Sequence, residues 1–273
     1  MFMYAFKSAF GVIKKKPFML WGLSLLSGIV TAIATILTTG LPFLGIAFGY
    51  VITVGMSRVY LDGLDGKKVN SDQLFSGFGK GVFRIAGGMA WQKIWSVIWT
   101  LAGMGIALLV FLVLTLIGGV FGDMGAAIFG VIGLIFAIIS AIPISIYVIS
   151  KNYSYSFVPY ILSTRPDVTA TQALRLSMEL TRGKKLQMWL ADFFYAIITG
   201  LISLILGLFC MIPFIGSLFM IVTIFYFIIL FVFGPLFRGL YKAEFYRLKI
   251  DPPAKPRYDT FNHIENLIMK EEQ

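Results

Sequence analysis

The chain has 273 residues, of which 58% are hydrophobic and 13% are charged. Soluble domains are typically about 45–50% apolar with glycine included and about 25% charged, so the composition excludes an ordinary soluble domain and favours lipid as the main solvent. The single cysteine, Cys210, excludes an internal disulfide. The net charge of +10 would suit either nucleic acid or an anionic membrane surface, and the positions of the basic residues decide between them.

Six apolar runs approach or exceed the length of about 20 residues that a helix needs to cross a ~30 Å hydrocarbon core. The predicted spans cover residues 17–37, 43–59, 97–120, 124–150, 187–210 and 215–237. The first span is longer than the apolar core of a signal peptide, and we expect it to be an uncleaved anchor.

The distribution of lysine and arginine predicts the orientation of the spans. The joints "TTGLP", "FGDM" and "MIPFIGS" contain neither residue type, so all 23 basic residues fall on the other side. By the positive-inside rule both termini are cytoplasmic. The basic residues then lie beside anionic headgroups, so we expect the lipid bilayer, and proteins that meet this face, as partners, and no nucleic acid. Residues 1–249 are predicted to form one polytopic membrane domain, and residues 250–273 a cytoplasmic tail.

Each odd-numbered span follows a segment with the pattern of an amphipathic helix, a type that lies in the headgroup region. Large apolar residues recur at helical spacing in the first two segments, at Phe2, Phe6, Phe10 and Ile13 and at Leu74, Phe75, Phe78 and Phe83. The second starts at an N-cap-like Ser71 or Asp72. The third carries a capping box, Thr169 with Gln172, and Gly183 is placed to end it. In the tail, a similar apolar face is formed by Phe261, Ile264, Leu267 and Ile268.

These elements predict an all-α membrane protein in which six transmembrane helices form three hairpins, each preceded by an interfacial helix. Lys15–Thr31 and Lys184–Thr199 align as an internal repeat, although span starts in general share lysine and tryptophan as interfacial anchors. Gly45 with Gly49, and Gly103 with Ala107, are spaced for close helix packing.

The sequence offers little of the chemistry that enzymes need. Its one histidine, His263, is in the tail, so no cluster for a catalytic metal is formed. Asp62, Asp65 and Asp72 depart from the calcium-loop spacing, and no serine-hydrolase elbow or phosphate loop occurs. We predict a protein that is not an enzyme and has no catalytic residue, no cofactor and no metal.

Asp192 is the one acidic residue within the predicted spans. Such a residue usually faces the protein interior and is paired. Arg238, at an equivalent depth in span six after a predicted break at Gly234-Pro235, is the expected partner, with Lys93 or Arg84 as substitutes. Tyr153, Phe157 and Tyr160 form a stripe on the extension of span four, with Tyr195 and Tyr241 at similar depth. The group could line a vestibule for an amphipathic or anionic ligand, or be a pair that fixes packing.

A further aromatic group, Trp91, Trp95 and Trp99, recurs every four residues with Lys93 among them. The group is typical of an aromatic belt at the bilayer surface, and an aromatic box for a cation is the alternative.

The segment "YSFVPYILSTRPDVTATQALRLSMELTRGKKLQMWLADFF", together with "GPLFRGLYKAEFY" at Gly234–Tyr246 and "DQLFSGF" at Asp72–Phe78, resembles a bacterial integral-membrane family catalogued as domain of unknown function 975. That family is distantly similar to the membrane region of some glycerophosphodiester phosphodiesterases. The chain differs at Arg238, where an uncharged polar residue is expected. The resemblance implies a multi-pass bundle and transfers no catalytic residue.

From these features we expect a multi-pass protein of the bacterial cytoplasmic membrane that acts as a scaffold or accessory subunit of envelope, export or resistance machinery. The alternative is a transporter or binding protein for a lipid-like or amphipathic solute.

Overall fold

The computed structural model describes residues 2–15, 17–79, 81–213 and 215–250, and the tail with its predicted apolar face and His263 lies outside them. Within the described ranges all regular structure is helical. The helices are α1 (Phe2–Lys15), α2 (Pro17–Leu37), α3 (Pro42–Leu64), α4 (Ser71–Phe75), α5 (Val82–Gly119), α6 (Gly122–Ser154), α7 (Val158–Thr164), α8 (Ala170–Thr181), α9 (Lys185–Cys210) and α10 (Gly216–Ile250), with one 3₁₀ turn at Ser76–Phe78. Six of them, α2, α3, α5, α6, α9 and α10, are long and apolar enough to cross a membrane, as the hydropathy pattern predicts.

The contacts divide the chain into two compact units. The terminal unit draws its residues from Met1–Val30, Gly55–Leu74 and Leu190–Gln273, and the central unit from Thr31–Val54 and Phe75–Trp189. Helices α2, α3 and α9 contribute residues to both units, and each unit is described by itself.

In the central unit, small residues bring the helices close together. A Cβ atom added to Gly103 of α5 would lie 2.7 Å from a methyl carbon of Ile144 in α6, and one added to Gly49 of α3 would lie 3.3 Å from a methyl carbon of Thr31 in α2. A Cβ at Gly45 would collide with Thr38. The glycines of both predicted packing motifs therefore lie at helix contacts, where close backbone approach strengthens van der Waals packing.

The second predicted interfacial helix is not one helix. It is divided into α4, the 3₁₀ turn and the beginning of α5, because Gly81 has a φ of +135°, a conformation that ends helical geometry. Helix α5 then runs for 38 residues without interruption into the predicted third span. The apolar residues that were predicted to lie on one helix face, from Leu74 to Phe83, therefore lie in three different elements.

The predicted extension of span four is also interrupted. Helix α6 ends at Ser154, and α7 starts at Val158 with Pro159 in its first turn. Proline has no N–H and its ring collides with the carbonyl four residues earlier, so it favours a new helix start. The hydroxyl of Ser177 in α8 donates to the carbonyl of Ser154 at 2.7 Å and accepts from the N–H of Phe157 at 3.2 Å, which satisfies the backbone at the break.

Helix α8 confirms the helix predicted in the third segment, and its location at the membrane surface stays a prediction. The side chain of Thr169 accepts from the Gln172 backbone N–H, and the Gln172 side chain accepts from the Thr169 N–H, which is the predicted capping box. Gly183 follows the helix with a φ of +76°, as expected of a residue that ends a helix in the left-handed conformation.

In the terminal unit, α1 packs against α10. The ring of Phe6 lies 5.2 Å from the rings of both Phe237 and Tyr241. The predicted break at Gly234-Pro235 is wrong, because α10 continues through both residues to Ile250. Apolar surroundings and neighbouring helices tolerate a proline within a long helix. Gly234 has a packing role instead, since a Cβ there would lie 2.7 Å from the Tyr195 hydroxyl oxygen.

We predict that Gly103→Leu weakens the contact between α5 and α6 by about 1–3 kcal/mol, the usual cost of overpacking. Gly105→Leu is the matched control in the same helix, because a Cβ there meets no atom within 4 Å. Thermal unfolding in detergent measures both, and equal melting temperatures would contradict the packing assigned to Gly103.

Candidate functional site

The Asp192 carboxylate in α9 contacts three side chains of α10. The Arg238 Nε donates to Oδ1 at 3.2 Å, the Lys242 Nζ lies 3.3 Å from Oδ2, and the Tyr241 hydroxyl donates to Oδ1. Positions 238, 241 and 242 share one face of a helix because they are three and four residues apart. We call these four residues the Asp192 cluster. The expected pair of Asp192 with Arg238 is therefore present, and Lys242 is a second cation that sequence reasoning missed.

Aromatic rings border the Asp192 cluster. The ring of Tyr195 stacks on that of Phe237 at 5.9 Å, and the guanidinium carbon of Arg238 lies 6.0 Å from the centre of the Tyr195 ring. Tyr241 is fully buried. Low polarity around a charge pair strengthens the attraction and raises the cost of leaving either charge unpaired.

The cluster carries an excess of positive charge. It contains two cations and one carboxylate, and the exposed fraction of the side chains is 12% for Asp192, 23% for Lys242 and 50% for Arg238. The carboxylate is thus enclosed while the guanidinium remains half accessible. This arrangement can join α9 to α10, and it can also attract one further anion through the free part of Arg238.

A second charged network joins α10 to the end of α3. Glu244 is fully buried, and its Oε1 accepts from Nη2 of Arg247 at 3.0 Å. The Nη1 of Arg247 donates to Oδ1 of Asp65 at 3.3 Å and to the carbonyl of Leu64 at 3.2 Å. We call Asp65, Glu244 and Arg247 the Glu244 network. It connects residues that are far apart in the sequence.

Exposed charges extend the Glu244 network at its edge. Lys67 pairs with Asp65 at 3.2 Å and with Asp62 at 3.6 Å, and Arg58 lies 3.9 Å from Asp62. The hydrogen bond that Lys67 donates to Asp65, the charge of Asp65 and the charge of Asp62 raise the pKa of Lys67. These aspartates therefore bind cationic side chains of their own chain. Within the described ranges, no three His, Cys, Asp or Glu residues lie close enough to hold a metal ion.

Glu244 was missed because the predicted sixth span ends at residue 237, whereas α10 runs to Ile250. A glutamate three residues before an arginine, "EFYR", is a spacing that pairs charges on one helix face. The flanking aromatic residues Phe245 and Tyr246 are also buried. Together these features are typical of a buried ion pair, here Glu244 with Arg247.

The remaining predicted site residues belong to the central unit. Tyr160 is 4% exposed and contacts Phe157 with ring centres 6.4 Å apart, so it is a core residue rather than the lining of a vestibule. Tyr153 is half-buried at the end of α6, and Lys93 is exposed on α5. Arg84 donates to the carbonyls of Leu162, Arg165 and Val168 at 3.0–3.1 Å and so holds the connection between α7 and α8. Arg238, rather than Arg84 or Lys93, supplies the predicted partner of Asp192.

A lysine of the same chain, Lys151, lies against the last tryptophan of the series on α5. Ring centres of Trp91, Trp95 and Trp99 are 6.1 and 6.5 Å apart. The Lys151 ammonium lies 4.7 Å from the centre of the Trp99 ring and 5.3 Å from that of Tyr147, a geometry that gives cation–π attraction. The contact joins the middle of α5 to the last turns of α6.

We predict that Asp192→Asn lowers the free energy of unfolding by about 1–3 kcal/mol, because the substitution leaves two neighbouring cations without their carboxylate. Asp167→Asn, in an exposed loop, should change it by less than about 0.5 kcal/mol. Denaturant titration in micelles provides the comparison. Equal losses of unfolding free energy in the two variants would contradict the stabilising role assigned to the cluster.

For the Glu244 network we predict that Arg247→Met costs about 3–5 kcal/mol, since it leaves a fully buried carboxylate unpaired. Combining it with Glu244→Gln should recover most of that loss, and Arg175→Met, at an exposed position of α8, is the control. A double-mutant cycle of unfolding free energies measures the coupling. Additive effects of the two substitutions would contradict a direct interaction.

A comparison of the chain with protein-family models, with curated proteins and with solved structures finds no match. The similarity to the domain of unknown function stays an interpretation of sequence features.

Proposed function

We propose that the chain is a non-enzymatic multi-pass protein of the bacterial cytoplasmic membrane, and that it serves as a scaffold or accessory subunit of envelope, export or resistance machinery. In this proposal its six long helices form three hairpins, both termini are cytoplasmic, and the basic side meets anionic headgroups or partner proteins.

The observation that carries the proposal is the pairing of Asp192. Both carboxylate oxygens contact side chains of α10, through Arg238 and Tyr241 on one oxygen and Lys242 on the other. A general acid or base must come within hydrogen-bond reach of the proton that it transfers. A carboxylate that is 12% exposed and held by three neighbours is better suited to fixing two helices than to that task.

The outer surfaces of the helices support a role in assembly. Large apolar side chains of α5 and α6 remain exposed, among them Leu116 at 72% and Ile146 at 63%. Lipid tails cover such surfaces in a bilayer, and helices of another protein can replace the lipid when packing is close. A scaffold needs this kind of surface and a rigid interior that presents it.

A second candidate function is the binding of an anionic amphiphile at the Asp192 cluster. It is favoured by the half-exposed guanidinium of Arg238 and by the excess of one positive charge among the four residues. Arginine binds carboxylate and phosphate groups through a planar set of donors. In this case Asp192 would orient Arg238 toward the ligand.

Native mass spectrometry of full-length protein, released gently from its own membrane, distinguishes the two functions. We expect wild type, Asp192→Asn and the control Asp167→Asn to retain the same stoichiometric protein partner. An amphiphile retained by wild type and by the control, but lost from Asp192→Asn, would instead establish the second function. Spectra that contain neither a partner nor an amphiphile would count against both.

A further inference from the structure

The central unit contains an open groove of about 530 Å³ between the first half of α3 and the first half of α5. Its α3 side includes Phe43 and Tyr50, and its α5 side includes Ala86, Gly87, Ala90 and Lys93, while the other lining residues are aliphatic. Binding sites for small molecules commonly have volumes of about 300–1,000 Å³. The groove is thus large enough for a substantial part of an amphiphilic molecule.

The groove is long, and small residues form part of its lining. The α5 residues that line it extend from Ala86 to Ile98, which corresponds to about 18 Å along a helix at 1.5 Å per residue. One leaflet contributes about half of a ~30 Å hydrocarbon core. A Cβ at Gly87 would meet no atom within 4 Å, so the space above that residue is open. Measured from Lys93, the α5 lining extends about 7.5 Å to Ile98 and about 10 Å to Ala86, so the groove can cover part of a hydrocarbon chain.

Lys93 is the one charged residue in the lining. Among the described residues, no ion pair joins its ammonium group to a carboxylate, and its side chain is exposed. It lies on α5 between Trp91 and Trp95, residue types that collect at the level of the headgroups. A long lysine side chain can keep its stem against apolar surface while its ammonium reaches the interface.

We propose that this groove binds an anionic glycerophospholipid, with the headgroup phosphate at Lys93 and an acyl chain along the aliphatic lining. Charge complementarity selects this occupant, because one ammonium group in an otherwise apolar lining matches an anionic headgroup joined to hydrocarbon. A second copy of the chain in a two-fold symmetric contact would bring another Lys93 to the same place, and the like charges would oppose it. The site shares no residue with the Asp192 cluster, and it rests on the membrane location given in the proposed function but not on the role as a scaffold.

The test uses native mass spectrometry of the full chain in detergent, with phosphatidylglycerol or phosphatidylcholine of identical acyl chains added separately. We expect wild type to retain phosphatidylglycerol about 5-fold better, the factor that one lysine near an anionic surface typically contributes. Lys93→Gln should reduce the ratio to about 1 without lowering retention of phosphatidylcholine. Soluble glycerol 3-phosphate should not displace the lipid, because it lacks the acyl chains.

Gly87→Leu tests the groove itself and should reduce retention of both lipids, since its side chain occupies the open space. Gly105→Leu, also over open space in α5 but outside the lining, should behave as wild type. If Gly87→Leu lowers the melting temperature, Lys93→Glu at the exposed position provides the second variant and should bring the ratio below 1. The proposal is overturned by an unchanged lipid ratio in both Lys93 variants, by unchanged retention in a folded Gly87→Leu, or by a shift from lipid adducts to dimers that depends on Gly87.

Discussion

The attraction between the Asp192 carboxylate and the cations of α10 is the interaction on which the terminal unit depends. A charge on an apolar helix is tolerated when a neighbouring helix supplies its counter-charge, because an unpaired charge in hydrocarbon costs several kcal/mol. Arg238 and Lys242 meet this requirement from one face of α10. The requirement also fixes the rotation of both helices about their axes, since turning either one by a quarter of a turn would separate the charges. Phe6 and Phe237 then pack in the place that this rotation creates.

The helices of the two units associate through different kinds of contact. Helices in lipid gain little from the hydrophobic effect when they associate, so they rely on close packing and on polar contacts. In the central unit the contacts are made by glycines and by hydroxyl groups, such as Ser177 at the break between α6 and α7. In the terminal unit ion pairs are added to apolar and aromatic packing. Hydrogen bonds of hydroxyl groups depend little on salt or pH. Partly exposed ion pairs are weakened by added salt, which screens the charges, and by low pH, which protonates the carboxylate.

Hydropathy and charge predicted the six long helices, and residue spacing predicted the cap at Thr169, because these properties depend on neighbours along the chain. The continuation of α10 past Pro235 and the division of the segment around Gly81 were not predicted. Both depend on what the rest of the protein places against the backbone, and a proline or glycine is compatible with either outcome. The partner of Asp192 was predicted from depth alone, since few cations lie at that level. Glu244 was not, since its burial follows from the length of α10 and since its partner Arg247 also binds Asp65, far away in the sequence.

The contact between Arg247 and Asp65 joins residues 182 positions apart, and this separation has a consequence for biosynthesis. During translation the end of α3 and the acidic loop after it are made long before α10. Asp65 therefore lacks its contact with Arg247 while the whole central unit is made. Contacts of high sequence separation close late and slowly. The central unit is formed mainly by one continuous stretch, Phe75–Trp189, and can assemble before α10 has been made. The contact of Arg247 with Asp65 can therefore form only after α10 has been made, whatever the order in which the single helices are inserted.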